Sequence, residues 1–297
     1  MDQKLFQSLL EQEIAQMCQF ALAEDLADCS INADSARDIT AELIPKDKIA
    51  SATLITREAG VLCGTAWVDK IFELLGGNVT IKWNFQDGDK LSPEDVICTL
   101  EGNARELLTG ERSAMNFVQS LSATATLTSL YAEPLVGTNC RLLDTRKTLP
   151  GMRFGQKYAV KCGGGTNHRI GLSDAFLIKE NHIMACGGIP QALNQAILNH
   201  PDKLLEIEVE SLDELQQALD GKAQVIMLDN FSLEQMREAK KQRDQHSSKV
   251  LLEASGNVSL EAIKSIADTG VDYISVGALT KNVQALDLSM RISIDLK

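Results

Sequence analysis

Between Arg141 and Ile183 the chain carries eight lysines and arginines against three acids. That is a surplus of +5 in a protein of net charge −12, so the remainder stands at −17. The cations are Arg141, Arg146, Lys147, Arg153, Lys157, Lys161, Arg169 and Lys179, and His168, His182 and the run Gly163-Gly164-Gly165 lie among them. Arginine grips carboxylate or phosphate through two parallel hydrogen bonds, and lysine adds a mobile point charge. A cationic cluster in an acidic chain is the composition of a site for a small polyanion. The competing reading is a solvated charged face. It fits less well, because several cations fall where apolar runs end, at LLD-TRK and FLI-KEN, rather than along one helical face.

Charges at strand ends need strands to hold them. After Arg141 the chain alternates apolar runs (RLLDTRK, AFLIKEN, LLEIEVE, VIMLDN, VLLEASGN, YISVGAL) with helical patterns over 191–198, 212–219, 233–241 and 260–267. That rhythm predicts right-handed βαβ units on a parallel sheet. Six or seven units favour a closed or nearly closed α/β barrel over a doubly wound open sheet. No G-x-G-x-x-G follows the first strand, which lowers a dinucleotide-binding fold further. The first half reads differently. It has a helix over 5–26, strands over 49–56, 79–85 and 96–100, a helix over 67–75 ending at Gly76-Gly77, and a long Ser/Thr/Ala-rich helix over 104–131. These predict a small α+β unit on a mostly antiparallel sheet.

Composition narrows the function. A pI near 4.9 argues against nucleic acid as the main partner. Seven scattered cysteines without a C-x-x-C pair argue against a zinc site and a disulfide framework and fit a reducing, cytoplasmic compartment. The acidic amphipathic start is not a signal peptide, and no apolar run reaches membrane-spanning length.

In α/β barrels ligands sit at the C-terminal strand ends. Read in order, those ends supply Arg146 and Lys147, Lys179, Glu208, Asp229, Ser255-Gly256-Asn257 and Val276-Gly277-Ala278, with His168 and Arg169 on a preceding loop. Arg146, Arg169 and Lys179 suit carboxylates. Glu208 and Asp229 suit hydroxyls, Mg²⁺ or a developing cation, although Glu206 or Glu208 paired to a barrel lysine is an equally good reading. The two glycine turns offer backbone N–H groups to a phosphate. The triple glycine lacks the Lys-Ser/Thr ending of a P-loop and reads as a place of close backbone approach.

The blocks DTRKTLPGMR, KYAVKCGGGTNHRIGLSDAFLIKENHI, IEVE, IMLDN, LEASGN and ISVGALTKNVQALDLSMRI resemble the quinolinate phosphoribosyltransferase family. ALAEDLADCS, RDITAELIP, REAGVLCG and LLTGERSAMNFVQSLSATAT extend the resemblance over nearly the whole chain. It implies an α/β fold with an N-terminal open-faced α/β sandwich over 1–115 and an incomplete seven-stranded parallel α/β barrel over 116–285. The tail, 286–297, returns to the first domain. The implied reaction joins quinolinate to phosphoribosyl pyrophosphate with Mg²⁺, giving nicotinate mononucleotide, pyrophosphate and carbon dioxide on the de novo route to NAD. On that pattern Arg112, Thr145, Arg146, Lys147, His168, Arg169, Lys179, Glu208 and Asp229 bind substrate. Lys147, Glu208 and Asp229 are catalytic, and the two acids are the metal candidates, directly or through water or substrate. Ser255, Gly256, Asn257, Val276, Gly277 and Ala278 bind phosphate. Arg112 is donated across a homodimer; assembly into hexamers stays open. Ala123 and Asn257 stand where the family often has glycine.

Other readings are a Schiff-base aldolase with Lys147 or Lys179 as nucleophile, a related phosphoribosyltransferase for another anionic ring, and a non-catalytic binder of phosphorylated metabolites. The last gains nothing from two acids facing a phosphorylated ligand.

Overall fold

A computed structural model describes residues 3–26, 38–246 and 249–293. In chain order the first half forms α1 (Gln3–Asp25), β1 (Ile49–Thr56), β2 (Gly60–Val61), α2 (Thr65–Leu74), β3 (Val79–Trp83), β4 (Lys90–Leu91), β5 (Val96–Asn103) and α3 (Ala104–Ala132). There follow β6 (Arg141–Leu143), α4 (Arg153–Cys162), α5 (Glu180–Cys186), α6 (Ile189–Asn199), β7 (Glu206–Val209), α7 (Leu212–Asp220) and β8 (Val225–Asp229). Last come α8 (Leu233–Gln245), β9 (Leu251–Ser255), α9 (Ile263–Ala267), β10 (Tyr273–Ser275), α10 (Ala278–Lys281) and β11 (Leu288–Ser293). Cys29 and residues 294–297 of the tail lie outside the described residues. Among the described residues no helix is long and apolar enough to cross a membrane.

The chain divides into two compact units. Of the described residues, one comprises those within Leu130–Lys147 and Gly165–Leu279; the other holds those up to Ser129, Thr148–Gly164 and those from Thr280 onward. The boundary expected at 115/116 falls inside α3.

The N-terminal unit is built on an antiparallel sheet of order β11-β1-β5-β3. β1 alternates because its even positions are buried: Ala50, Ala52 and Leu54 are nearly inaccessible. The tail strand β11 lies against β1, with Ser51 opposite Ser293 and Thr56 opposite Leu288. Trp67, Ile71 and Phe72 of α2 and Leu22 of α1 are almost completely buried in this unit. Burying a side chain of that size contributes roughly 1.5–3 kcal/mol. The Asp87-Gly88 turn serves α2 rather than a simple hairpin. The Asp87 carboxylate accepts the Gly64 and Thr65 N–H groups at 3.0 and 3.1 Å, which caps the helix start. Helix α4 is short and follows the Pro150-Gly151 turn. Its start is held from far along the chain: Glu13 of α1 accepts the Phe154 and Gly155 N–H groups at 2.9 and 2.7 Å. The negative group sits at the positive helix end.

The triple glycine follows α4 and has a packing reason. A Cβ on Gly163 would lie 2.3 Å from the Ala125 carbonyl oxygen of α3, so only glycine lets these backbones approach. Ala123, two residues before Ala125 on α3, is itself buried.

In the second unit the parallel sheet has the order β6-β10-β9-β8-β7. Single parallel bridges extend both edges: Leu143 with Thr166 beyond β6, and Ala175 with Leu204 and Ile178 with Ile207 beyond β7. Taken in chain order, β6, the Thr166 segment, the 175–178 segment, β7, β8, β9 and β10 follow one another around a ring. β10 returns to pair with β6. The one seam without pairing among the described residues lies between the Thr166 and 175–178 segments. This is the incomplete seven-stranded barrel that the resemblance implies. The AFLIKEN run is a correction: it pairs at two bridges only and turns into α5 at Glu180. A strand beside the open seam has one neighbour, so little holds it extended. Helix starts after the strands are encoded locally. Ser211 caps α7 through the Glu214 N–H, and Ser232 with Gln235 forms a capping box on α8.

Candidate active site

Parallel register sorts the site residues by face. Glu208 lies opposite Met227, Met227 opposite Glu253, and Asp229 opposite Ser255. With a period of two, Glu206, Glu208, Asp229, Glu253 and Ser255 all share one face of the sheet. β7 is buried at all four positions, so its two glutamates are charges carried into an apolar strand. Buried carboxylates persist only with partners, and each has one.

Glu208 Oε2 receives the Lys179 ammonium at 2.5 Å. The glutamate is 8% exposed at its side chain and the lysine 44%, so the pair spans the boundary from interior to solvent. Lys179 is placed by α5, whose first N–H groups are closed by His182: its Nδ1 accepts the Lys179 N–H at 3.0 Å. The sequence reading left open whether Glu208 serves chemistry or merely pairs with a barrel lysine. It pairs with Lys179, the lysine that the strand-end reading also names as a candidate.

Glu206 and Glu253 both approach His168, whose Nε2 lies 3.0 Å from Glu206 Oε2 and 3.5 Å from Glu253 Oε2. Burial by itself lowers the His168 pKa; hydrogen bonding and charge from the two glutamates outweigh it and push it well above its ordinary value. Burial pushes Glu206 up, and His168 pulls it back. The Arg169 N–H lies 2.8 Å from His168 Nδ1, and Nε2 lies within ion-pair distance of both glutamate oxygens. Both ring nitrogens thus face groups of the protein. The loop backbone is fixed from β6, where fully buried Asp144 accepts the His168 N–H at 2.9 Å and the Asn167 side-chain N–H at 2.6 Å.

Arg169 leaves this loop half-buried, its Nη1 donating to the Ala175 carbonyl at 3.3 Å. Its Nε is buried without a hydrogen-bond partner among the described residues, and so is the Nε of Arg146. Burial and the nearby Arg146 charge both depress the Arg169 pKa. Two adjacent, half-buried guanidiniums with unspent donors form a fork for an anion with more than one carboxylate. The charges of Glu206 and Asp174 act on Arg169 in the opposite sense, and Asp174 folds the loop by accepting the Ile170 and Gly171 N–H groups, each at 2.8 Å.

Three further ends complete the set. Thr145 accepts the Lys147 N–H at 3.1 Å, and the Lys147 stem runs past Gly277, where an added Cβ would sit 3.0 Å from Lys147 Cδ. Asp229 is half-buried and takes the Asn230 side-chain N–H at 2.9 Å. Gly256 and Asn257 have φ of 103° and 46°, and Asn230 has 56°. Asn257 therefore occupies the left-handed region expected of the glycine it replaces. Ser255, Gly256 and Asn257 sit at the end of β9, and Val276, Gly277 and Ala278 lead from β10 into α10. Arg112 lies on α3 in the other unit, exposed and without an ion pair among the described residues.

Glu253, Asp144 and Asn167 escaped the sequence reading as site residues. Glu253 was visible only as part of an apolar strand; its period-two phase with Ser255 was the available signal.

Comparison with known proteins fits this geometry. The model of the quinolinate phosphoribosyl transferase C-terminal domain matches residues 124–291, and that of the N-terminal domain matches 38–122. The chain belongs to the quinolinate phosphoribosyltransferase family. The carboxylating nicotinate-nucleotide pyrophosphorylase of Mycobacterium leprae is 39% identical over 92% of this chain and 98% of its own length. A decarboxylating quinolinate phosphoribosyltransferase of Nicotiana tabacum is 36% identical over 94% of this chain and 82% of its own. The solved nicotinate-nucleotide pyrophosphorylase of Francisella tularensis superposes with a TM-score of 0.88 at 44% identity, covering 95% of this chain and 96% of that one. As a quinolinate phosphoribosyltransferase family member the protein is a pentosyltransferase, and its two-unit α/β fold is that of its solved relatives.

Proposed function

We infer that the protein transfers the phosphoribosyl group of phosphoribosyl pyrophosphate to quinolinate and releases carbon dioxide, giving nicotinate mononucleotide for NAD synthesis. The observation that carries this is the Arg146–Arg169 pair with its buried, unpartnered Nε atoms. Quinolinate brings two adjacent carboxylates, and two guanidinium forks with the Lys179 ammonium match that demand. Clamped so, the ring nitrogen faces the anomeric carbon, and orientation supplies much of the rate. The nitrogen lone pair forms the new C–N bond as the bond to pyrophosphate breaks. Glu208 and Asp229 face the positive charge that grows on the sugar. Lys147 and the turns at 255–257 and 276–278 hold phosphate. The pyridinium then accepts the electron pair left when the carboxylate beside the nitrogen departs, and that carbon takes a proton from solvent. A lysine imine has no part: Lys179 is paired to Glu208, which disfavours the aldolase reading.

The donor set suits Mg²⁺. Glu208 and Asp229 are hard oxygen ligands at adjacent strand ends, and Asp229 is open on one side. Mg²⁺ takes few protein carboxylates beside phosphate and water oxygens. Bound there, it would neutralise pyrophosphate charge. The active unit is a homodimer in which the partner's Arg112 completes the dicarboxylate clamp, in keeping with its exposed position and absence of an ion pair among the described residues. Free thiols at all six described cysteines favour the cytoplasm.

Purified protein with quinolinate, phosphoribosyl pyrophosphate and Mg²⁺ is expected to yield nicotinate mononucleotide by mass, and nicotinate in parallel is expected to yield none. Product from nicotinate alone would move the assignment to another anionic ring.

The glycine turn has its own expected result. Gly256→Ala places a Cβ 2.2 Å from Asn230 Oδ1 at a backbone angle of +103°. Such strain costs of order 1–3 kcal/mol. The variant is expected to raise KM for phosphoribosyl pyrophosphate at least about tenfold, the equivalent of about 1.4 kcal/mol. Steady-state kinetics with either substrate varied reads the effect, and the quinolinate KM is expected to change little.

A further inference from the structure

The His168 ring stands between two buried carboxylates and a peptide N–H. Glu206 and Glu253 are 2% and 1% exposed, yet they sit on β7 and β9, with β8 between them. Both nonetheless converge on one atom, His168 Nε2, at 3.0 and 3.5 Å. On the far side of the ring Nδ1 holds the N–H of Arg169, the residue whose guanidinium lies beside Arg146. The segment carrying them has one sheet bridge, Thr166 with Leu143, and borders the open seam of the barrel. Sheet pairing therefore does little to fix Arg169. The buried side-chain network supplies what the missing strand neighbour does not.

We propose that Glu206 and Glu253 are positioning residues for the dicarboxylate clamp: through the His168 ring they set the backbone from which Arg169 reaches its ligand. This rests on the quinolinate reading above. It gives a role to two buried acids that the transfer chemistry does not use. It also explains why these acids occupy the same sheet face as Glu208 and Asp229 without serving phosphate or ribose. Glu208, two residues on, is tied to Lys179 and has no part in the strut.

Steady-state kinetics on Glu206→Ala, Glu253→Ala and Glu206→Gln, each checked for folding by thermal melting, tests this. Loss of the strut is expected to raise the quinolinate KM about tenfold or more in Glu206→Ala, about 1.4 kcal/mol by the standard conversion. The KM for phosphoribosyl pyrophosphate is expected to stay within about twofold, because its ligands lie on other loops. Glu206→Gln keeps an oxygen facing Nε2 and is expected to recover most of the affinity. The decisive arm is a double-mutant cycle. If Glu206 acts through His168, adding Glu206→Ala to His168→Ala changes the quinolinate KM little further. Additive effects, or equal rises in both KM values, would overturn the proposal in favour of general packing. Wild-type turnover in the same assay tests the underlying reading separately. Should the wild type turn over no quinolinate, that reading fails, and the same cycle is read on calorimetric quinolinate binding.

Discussion

Glu208→Gln is expected to lower kcat by about 10²–10³-fold while leaving the protein folded, the range seen when one preorganised electrostatic group is removed from a transition state. The substitution preserves shape and removes one charge. In the native site that charge lies against the Lys179 ammonium at 2.5 Å, nearly buried on the glutamate side. Burial strengthens its field at the sugar, because low-dielectric surroundings screen it poorly. The loss should fall on kcat rather than on KM for phosphoribosyl pyrophosphate, since the positive charge on the sugar exists only as pyrophosphate departs. Asp229→Asn should follow the same direction with a smaller loss, because Asp229 is more open to water. A Glu208→Gln variant with wild-type kcat would remove Glu208 from the chemistry and leave it as a prop for Lys179.

The second large effect is a recovery. Arg112→Ala and Glu208→Gln should each be nearly inactive alone. If Arg112 serves the partner's site, subunits of the two variants mixed by denaturation and refolding are expected to regain about a quarter of wild-type activity. Random pairing makes half the dimers mixed, and each mixed dimer holds one intact site. Glu208→Gln mixed with Asp229→Asn is the control. Both residues come from one barrel, so no pairing rebuilds a site. Recovery in the first mixture but not the second places Arg112 in the partner's clamp. No recovery in either would return it to its own subunit or to the surface.

Where the sequence spoke clearly, the physics was local. Period-two alternation marked β1, apolar runs marked β7 and β8, and helical spacing marked the helices that follow them. Lys179, Glu208 and Asp229 were found by position alone, at the ends of runs. What stayed hidden depends on distant partners. Helix α4 draws its start from Glu13, over a hundred residues earlier, a partner that local sequence does not reveal. The strand at 175–178 is short because the seam leaves it one neighbour. Glu253 reads as an ordinary strand acid until His168 arrives from another loop. Strand-end position pointed to Arg146, Arg169 and Lys179 and the resemblance added Arg112, whereas only the folded geometry separates Glu208, paired with Lys179, from Glu206 and Glu253 at the His168 ring.

The order of strands also says something about synthesis. The N-terminal sheet has β1 as its inner strand only because β11, nearly 240 residues later, takes the outer position. The barrel likewise waits for β10 before β6 gains its inner neighbour. A nascent chain therefore carries a bare β6 edge until β10 has been made and a bare β1 edge until β11 has been made, and bare edges recruit other strands. A chain that stopped before Leu288 would strip β1 of its cover while sparing every residue of the proposed clamp, so the price of losing β11 is aggregation before any loss of chemistry.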